Sequence, residues 1–236
     1  MNNDKDFIIE NDVLIKYKGK DKEVVIPEEV TSIREKAFNN CKTIENIEIP
    51  DKITIIDRRI FSKCINLKSI KISNKTEYID ERAFCLCSKL EEINIPNITT
   101  IIQYGAFGYC KALREIIIPD SVVYMGEYCF YGCKSLKSIK LSNSIKTIGA
   151  GTFIDCTSLE TIDIPNGVVC IEIKAFEDCT DLKTVNIPST IVFIHKEAFK
   201  RCSSLEIANI GRKISIPEEE LRDILGEDIQ INWIED

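Results

Sequence analysis

Apolar and polar positions along this chain repeat with one constant period, the spacing that separates Phe38 from Phe61. Four columns keep this spacing over eight copies: a phenylalanine, a cysteine three residues later, a leucine or isoleucine three residues after that, and an isoleucine or methionine five residues before the phenylalanine. The phenylalanines are Phe38, Phe61, Phe84, Phe107, Phe130, Phe153, Phe176 and Phe199. The cysteines are Cys41, Cys64, Cys87, Cys110, Cys133, Cys156, Cys179 and Cys202. Chance does not hold four columns in phase for so long, so the sequence predicts eight stacked structural units.

Each unit carries three predicted elements. A strand has its inward positions at Leu67, Ile70 and Ile72, and a proline or serine closes it, as a strand end tolerates. A second short strand follows, for example over residues 53–56, and then a single helical turn carries a small residue and the phenylalanine. A period of 20–29 residues with Leu-x-x-Ile-x-Ile spacing is typical of a leucine-rich-repeat solenoid. The predicted fold class is therefore such a solenoid, β-rich, with one short helical turn per repeat.

The two ends of the chain depart from the period and are predicted to be caps. Residues 1–26 form an N-terminal β cap, in which a hairpin turns at Asn11-Asp12. Residues 27–211 form the eight repeats. Residues 212–236 form a C-terminal cap of one helix and one strand, with Trp233 covering the last repeat. Because each repeat of a solenoid is stabilised by its neighbours, we expect residues 1–236 to be one domain.

The repeat resembles a known family. The pattern Ile-Pro-x-x-Val-x-x-Ile-x-x-x-Ala-Phe-x-x-Cys-x-x-Leu-x-x-Ile-x-Ile over residues 24–210 is similar to the BspA-like, or Treponema pallidum type, leucine-rich repeat. Residues 6–27 also resemble the hairpin that often precedes such repeats. The resemblance implies a non-catalytic binding scaffold. Members of the family are frequently bacterial or protist surface proteins that bind host or neighbouring-cell proteins, and this chain departs from them in showing no leader and no wall anchor.

Composition and charge narrow the classes of function. The net charge is −7, which argues against a nucleic-acid surface, because phosphate binding needs clustered lysine and arginine. The first six residues are polar and acidic, and no apolar run follows that would make a secretory signal or a membrane span. We therefore expect a cytoplasmic protein that does not insert into membranes. The location would be the cell surface if a leader had been trimmed from the chain.

The eleven cysteines are predicted to be reduced core residues. Side chains stacked one repeat apart point in parallel, so their Cβ vectors do not converge as a disulfide requires. A zinc site is not indicated, because Cys-x-x-Cys pairs are absent and His195 is the only histidine. No metal or other cofactor is expected. Cys170, Glu172 and His195 fall in columns that could bring a nucleophile and a base together, but no insertion forms a pocket around them, and the chain is predicted not to be an enzyme.

The variable columns face solvent, and any function must lie there. The polar outward row of the first strand is the main candidate for binding a partner protein, and we expect it to lie on a concave face. Its members in the central repeats are Ser69, Lys71, Glu92, Asn94, Glu115, Ile117, Ser138, Lys140, Thr161 and Asp163. A secondary candidate is an apolar and aromatic stripe on the second strand, Ile55, Tyr78, Ile101 and Tyr124. This stripe could instead lean over the edge of the core.

The predicted function is that of a non-catalytic protein–protein interaction scaffold that uses the repeat sheet face. A surface adhesin-type binding module is one alternative. A self-assembling structural element, pairing through the stripe or a solenoid end, is another. A monomer is expected, with weak self-association as the alternative. Beside the leucine column, charges of opposite sign mostly fall one repeat apart, as in Glu45 and Lys68, and we interpret that column as specifying register.

Overall fold

Strands of two to five residues alternate with tight turns along residues 4–235, which the computed structural model describes. Residues 1–3 and 236, the outermost positions of the two predicted caps, lie outside that range. A short 3-10 turn, Asp4–Asp6, precedes the first strand, and one helix, α1 (Glu218–Leu225), lies near the C-terminus. The strands are β1 (Phe7–Glu10), β2 (Val13–Tyr17), β3 (Glu23–Val25), β4 (Ser32–Ile33), β5 (Asn46–Glu48), β6 (Ile55–Ile56), β7 (Ser69–Lys71), β8 (Tyr78–Ile79), β9 (Glu92–Ile93), β10 (Ile101–Ile102), β11 (Glu115–Ile117), β12 (Tyr124–Met125), β13 (Ser138–Lys140), β14 (Thr147–Ile148), β15 (Thr161–Asp163), β16 (Cys170–Ile171), β17 (Thr184–Ile187), β18 (Phe193–Ile194), β19 (Ile207–Gly211) and β20 (Gln230–Ile234).

The strands stack into two parallel rows, which we call the first and second sheets. The first sheet contains β3-β5-β7-β9, then β11-β13, then β15-β17-β19-β20, and its hydrogen-bond ladder is interrupted at the two junctions. The second sheet contains β1-β2-β4, β6-β8-β10-β12 and β14-β16-β18. Within the repeats, partners are one period apart, as in Asn46 with Ser69 and Ile47 with Ile70. Equivalent residues therefore lie next to one another along the whole solenoid, which confirms the predicted fold class.

The phenylalanine column is the centre of the core. From Phe61 to Phe199 each ring stacks on the next with centroids 4.9–5.7 Å apart and ring planes within 11° of parallel. In the N-terminal cap Tyr17 takes the equivalent place, 5.2 Å from Phe38, and Phe7 covers Tyr17 at 5.1 Å. Seven of the eight phenylalanines are completely buried. This stack extends the core from the first cap through the last repeat.

The segment before and after each phenylalanine forms successive tight turns in place of one helical turn. In the third repeat Arg82 and Leu86 have positive φ values of 55° and 66°, and equivalent positions in other repeats are also left-handed. These residues break the helical path, so alternate N–H groups point along the solenoid axis. The Phe84 N–H donates to the Ala106 carbonyl at 2.8 Å, one repeat away. The turns thus form a third inter-repeat ladder. The position equivalent to Arg82 in the next repeat is Gly105, and glycine adopts its φ of +58° without strain.

The cysteine column is buried beside this ladder. Seven of its thiols, from Cys64 to Cys202, donate to the carbonyl of the phenylalanine 26 residues earlier, with sulfur–oxygen distances of 3.1–3.3 Å. Cysteine suits this position because it is small and apolar and still carries a weak S–H donor. All eleven cysteines are free thiols. Desolvation raises the pKa of the buried thiols such as Cys87 well above the ordinary range.

The caps extend the sheets rather than only covering their ends. The hairpin of β1 and β2 turns at Asn11 and Asp12, whose φ values of 50° and 61° match the predicted tight turn. Strand β2 then pairs in parallel with β4, so the hairpin continues the second sheet. At the other end α1 begins after Pro217, and β20 adds a last strand to the first sheet beside β19. Trp233 is half-buried against the core, as expected.

Replacing a ring in the middle of the stack should be costly. Phe130 is completely buried between Phe107 at 5.4 Å and Phe153 at 5.7 Å. Phe130→Ala leaves a cavity there, and we expect it to lower the free energy of unfolding by about 3–5 kcal/mol. Glu115→Ala, on the exposed face of β11, should change it by less than about 0.5 kcal/mol. Urea titration followed by circular dichroism measures both, and equal losses would show that the inward columns are misassigned.

Thiol reactivity tests the cysteine column. Seven cysteines are buried and four, Cys41, Cys85, Cys170 and Cys202, are half-buried. Only the thiolate reacts, and burial both blocks access and raises the thiol pKa. We expect at most four thiols to react with a chromogenic disulfide reagent in the native protein at neutral pH, and all eleven to react in denaturant without reductant. Fewer than eleven in denaturant would contradict the column of free thiols.

Candidate functional site

The predicted binding row lies on the outward face of the first sheet. Strands β7, β9, β11, β13 and β15 carry nine of its ten residues, and the tenth, Asn94, follows directly after β9. Their inward neighbours, for example Ile116 and Ile139, are buried. Of the ten side chains, only Ser69 is half-buried, and the others are exposed. The structure therefore brings the predicted residues together on one solvent-facing surface.

Both flanks of this face are tied by side-chain ladders. On the N-terminal flank Asn46 donates to Glu23 at 2.7 Å, Ser69 donates to Asn46, and Lys71 pairs with Glu48. On the C-terminal flank an amide ladder begins where Asn186 donates to Asp163 and continues through Asn209 and Asn232. Asn209 donates to Asn186 at 2.6 Å, and Asn232 donates to Asn209 at 2.9 Å. Each of these polar groups already has a partner within the solenoid.

The centre of the face has no such ladder. Among the residues from 4 to 235, no side-chain hydrogen bond or ion pair engages Glu92, Asn94, Glu115, Ser138, Lys140 or Thr161. The interruptions of the backbone ladder, between β9 and β11 and between β13 and β15, fall in the same region. We call these six residues, together with Ile117, the central face. The repeat pattern of the sequence does not distinguish the centre of this face from its flanks, because it does not reveal which polar side chains pair with a neighbour.

An apolar feature adjoins the central face. Ile117 on β11 is 65% exposed, the largest value among the exposed large apolar side chains of the described chain. With Pro119, Ser121 and Lys140 it lines a shallow cleft of about 370 Å³ at the end of the strand. The central face thus offers one protruding apolar side chain beside a depression, with the unpaired Glu115 and Lys140 on the same strand and the next one.

The secondary candidate stripe is also contiguous. Ile55, Tyr78, Ile101 and Tyr124 open the consecutive strands β6, β8, β10 and β12, where each pairs with the next. Ile55 and Tyr124 are about half-exposed, at 51% and 49%. The Tyr78 hydroxyl accepts a hydrogen bond from Gln103 Nε2 at 2.6 Å, which fixes that ring. The four side chains form a surface row in which Ile55 and Tyr124 are exposed and Tyr78 and Ile101 are half-buried.

The catalytic-looking set is not assembled. The Glu172 carboxylate accepts a hydrogen bond from the Ala150 N–H at 2.9 Å, and His195 Nδ1 accepts one from the Glu197 N–H at 3.1 Å. Within the described chain, no hydrogen bond joins Cys170 to either residue. Burial, and secondarily the charge of Glu172, raise the pKa of the Cys170 thiol, which is the opposite of what activates a nucleophile.

Several residues of the charged column beside the leucines form the ion pairs that their spacing predicts. Glu45 accepts from Lys22 at 2.7 Å and from Lys68 at 2.6 Å, and Glu91 lies 3.7 Å from Arg114. The hydrogen bonds from Lys22 and Lys68 lower the pKa of Glu45 to about 2. Such pairs favour one register, since a slip of one residue would separate them.

The described residues offer neither a metal site nor a membrane span. No group of three histidine, cysteine, aspartate or glutamate side chains within residues 4–235 is placed to hold a metal ion. Across the same residues, no helix has the length and apolar character needed to cross a membrane.

Two parallel sheets, a constant repeat period and a buried ring column define this chain as a leucine-rich-repeat solenoid. The family model described as the BspA type leucine rich repeat region, with six copies, matches residues 9–123 and 100–221. The chain therefore belongs to the BspA-type leucine-rich repeat family. Among curated proteins no significant match is found.

Solved structures agree with this membership. A leucine-rich repeat protein of Treponema pallidum aligns with a TM-score of 0.69 and 25% identity, over 77% of this chain and 90% of that one. A leucine-rich repeat protein of Eubacterium ventriosum aligns with a TM-score of 0.63 and 24% identity, over 93% and 61%. A leucine rich cell surface protein of Faecalibacterium prausnitzii aligns with a TM-score of 0.55 and 20% identity, over 94% and 97%. The last two, at 24% and 20% identity, show the fold alone.

The Glu45 carboxylate should titrate well below its ordinary value of 4.5, at about 2. A lowered folded-state pKa stabilises the protein above the ordinary value, and this contribution is lost as the pH falls from 4.5 towards 2. Carboxyl-carbon NMR measures the titration. Lys68→Gln removes one donor and should move the Glu45 pKa upward. Lys71→Gln removes the ion-pair partner of Glu48 instead, and it should leave the Glu45 pKa unchanged. Titration of Glu45 at its ordinary value in the unmodified protein would contradict the pairing.

Proposed function

We propose that this protein is a non-catalytic scaffold that binds a partner protein on its central face. The observation that carries the proposal is the contrast along the first sheet. Most polar side chains of the flanks are paired within the solenoid, whereas six polar side chains of the centre have no such partner within residues 4–235. A partner that docks on the centre breaks no existing side-chain bonds. A partner on either flank would have to compete with the ladders.

The composition of the central face supports a protein partner. Ile117 and its adjoining cleft provide an apolar anchor, and the surrounding charges can set orientation, which is the usual division between the core and the rim of an interface. Glu92 and Glu115 lie on neighbouring strands and would repel a phosphate backbone, so nucleic acid is not the proposed partner of this face. The protein is expected to act without an enzymatic step, because the one catalytic-looking set lacks an activated thiol.

The apolar stripe on the second sheet supports a second candidate, self-association. Ile55, Tyr78, Ile101 and Tyr124 form a continuous row, and aromatic side chains are enriched at binding hot spots. We propose the monomer as the main state, because Tyr78 and Ile101 are half-buried and the Tyr78 ring is held by Gln103. Light scattering at several concentrations distinguishes the two, since self-association requires a mass that grows with concentration.

The proposed compartment is the cytoplasm, supported by the eleven free thiols, which persist in a reducing environment. The cell surface is the alternative, as for an adhesin-type module. It is supported by the family membership, because BspA-type proteins are frequently surface proteins. Labelling of intact cells with an impermeant reagent separates the two locations.

Charge reversal tests the binding face. We expect Glu92→Lys/Glu115→Lys to weaken capture of the partner from native lysate by about tenfold or more, because two unpaired charges are inverted at the contact. Glu227→Lys/Asp228→Lys, an equal charge change in the C-terminal cap, should leave capture intact. Tyr78→Ser/Tyr124→Ser reports on the stripe. Quantitative mass spectrometry of the captured proteins is the readout. Loss only in the tyrosine variant would place the partner on the stripe and overturn the proposal.

A further inference from the structure

A basic band runs along one edge of this acidic solenoid. The edge is formed by the chain between each phenylalanine turn and the following strand of the first sheet, over residues 19–22 of the N-terminal cap and the first five repeats. Its ten basic residues are Lys20, Lys22, Lys42, Lys63, Lys68, Lys89, Lys111, Arg114, Lys134 and Lys137. Only Asp21, Glu45 and Glu91 oppose them there, which gives a net charge of +7 in a chain whose total is −7. We call these ten residues the basic edge.

The basic edge ends abruptly at the sixth repeat. The equivalent segments of the last three repeats carry six acidic residues, Asp155, Glu160, Glu177, Asp178, Asp181 and Glu206, against Lys183, Lys200 and Arg201. Their net charge is therefore −3. Because the scaffold is the same in every repeat, the fold does not require this change of sign. The charge is concentrated over five steps of the first sheet, a length of about 24 Å at ordinary strand spacing.

Most of the basic edge is not neutralised within the solenoid. All ten side chains are exposed. Four of them form ion pairs: Lys22 and Lys68 with Glu45, Arg114 with Glu91, and Lys134 with Asp155. Among residues 4–235, no ion pair engages the other six, Lys20, Lys42, Lys63, Lys89, Lys111 and Lys137. Six cations without an ion pair repel one another along the band, and an anionic ligand or salt relieves that cost.

The band contains a cleft at its N-terminal end. Lys20, Lys22, Lys42, Lys68 and Lys89 surround it, and Thr43 and Asn66 contribute neutral polar groups, enclosing about 410 Å³. Glu45 lies in the same cleft and holds Lys22 and Lys68 in place. Asn66 donates to the Lys42 carbonyl at 2.7 Å, so its own carbonyl oxygen can accept a hydrogen bond from a ligand. The cleft thus offers both cations and a neutral acceptor.

We propose that the basic edge binds an acidic segment of a partner protein. Glu45 and Glu91 lie within the band, and such carboxylates tolerate the spaced charges of a peptide better than the continuous charge of a phosphate polymer. The Asn66 carbonyl and the Thr43 hydroxyl can pair with peptide backbone groups. This surface is separate from the central face, and the two can succeed or fail independently.

A labelled glutamate peptide tests the inference. The probe is a fluorescein-labelled run of about eight glutamates, which spans about 27 Å when extended and so covers the band. Its control is a peptide of the same length made of glutamine. Fluorescence anisotropy should show binding of the glutamate peptide alone, weakened as sodium chloride is raised from about 50 to about 500 mM.

Two matched variants locate the binding. Lys42→Glu/Lys89→Glu/Lys111→Glu inverts three unpaired cations of the basic edge, and we expect it to lower affinity for the glutamate peptide by about tenfold or more. Lys52→Glu/Lys75→Glu/Lys146→Glu makes the same charge change at exposed lysines outside the band, and should lower affinity by less than about threefold. Circular dichroism confirms that both variants fold.

Two results would overturn the proposal. Equal losses in the two variants would mean that total charge, and not the basic edge, determines binding. Binding of heparin or of a single-stranded oligothymidine without binding of the glutamate peptide would assign the band to a sulfated glycan or to nucleic acid. Neither result bears on the central face, because Glu92 and Glu115 are unchanged in every protein of this experiment.

Discussion

Every repeat of this solenoid leaves hydrogen-bonding groups unsatisfied until the next repeat stacks on it. Within each continuous stretch of the two sheets, the repeat strands pair with the equivalent strand one period away, and so do the turns, where the Phe84 N–H reaches the Ala106 carbonyl. The rings and thiols follow the same translation. A buried backbone group without a partner is costly, so in-register stacking is the constraint on which all other columns depend. The left-handed turn residues are tolerated because this third ladder holds them.

The same translation that builds the core also organises the surface. Each exposed side chain lies beside its own equivalents, so the chain can form ladders of amides or ion pairs outside as it forms ladders of rings inside. Asn186, Asn209 and Asn232 do so at one end, and Glu45 with two lysines does so at the other. A stretch of surface whose polar side chains are unpaired therefore differs visibly from the neighbouring stretches, where the equivalent side chains pair with one another in ladders. The central face is such a surface, and so is most of the basic edge beyond Glu45 and its two lysines.

The period made the fold predictable, and the limits of that prediction have physical causes. A side chain that must face the core in every repeat leaves a column in the sequence, as Phe130 and Cys133 do. The hairpin at Asn11 and the helix after Pro217 were predictable from their own turn and capping residues. The left-handed conformation at Arg82 was not, because arginine has no preference for it and only stacking imposes it. The thiol hydrogen bonds were hidden for a related reason, since each acceptor lies in the preceding repeat and is a backbone carbonyl, which no side-chain pattern marks.

The candidate sites were predictable only as sets of columns. Sequence placed Glu92 and Asn186 on the same face, and only the structure shows that one is unpaired while the other is held in a ladder. The basic edge was missed because a total charge of −7 averages over a segregated surface. Pairing depends on distances between side-chain ends, which a repeat pattern does not contain.

Site-specific photo-crosslinking tests most directly whether a partner docks on the unpaired centre of the first sheet. A benzophenone amino acid would replace Ser138 in the central face, Asn209 in the amide ladder, or Ile55 in the stripe of the second sheet, and each protein would be irradiated with the captured partner. We expect a covalent adduct from position 138 and none from positions 209 and 55. An adduct from position 55 or 209 with none from position 138 would contradict this expectation.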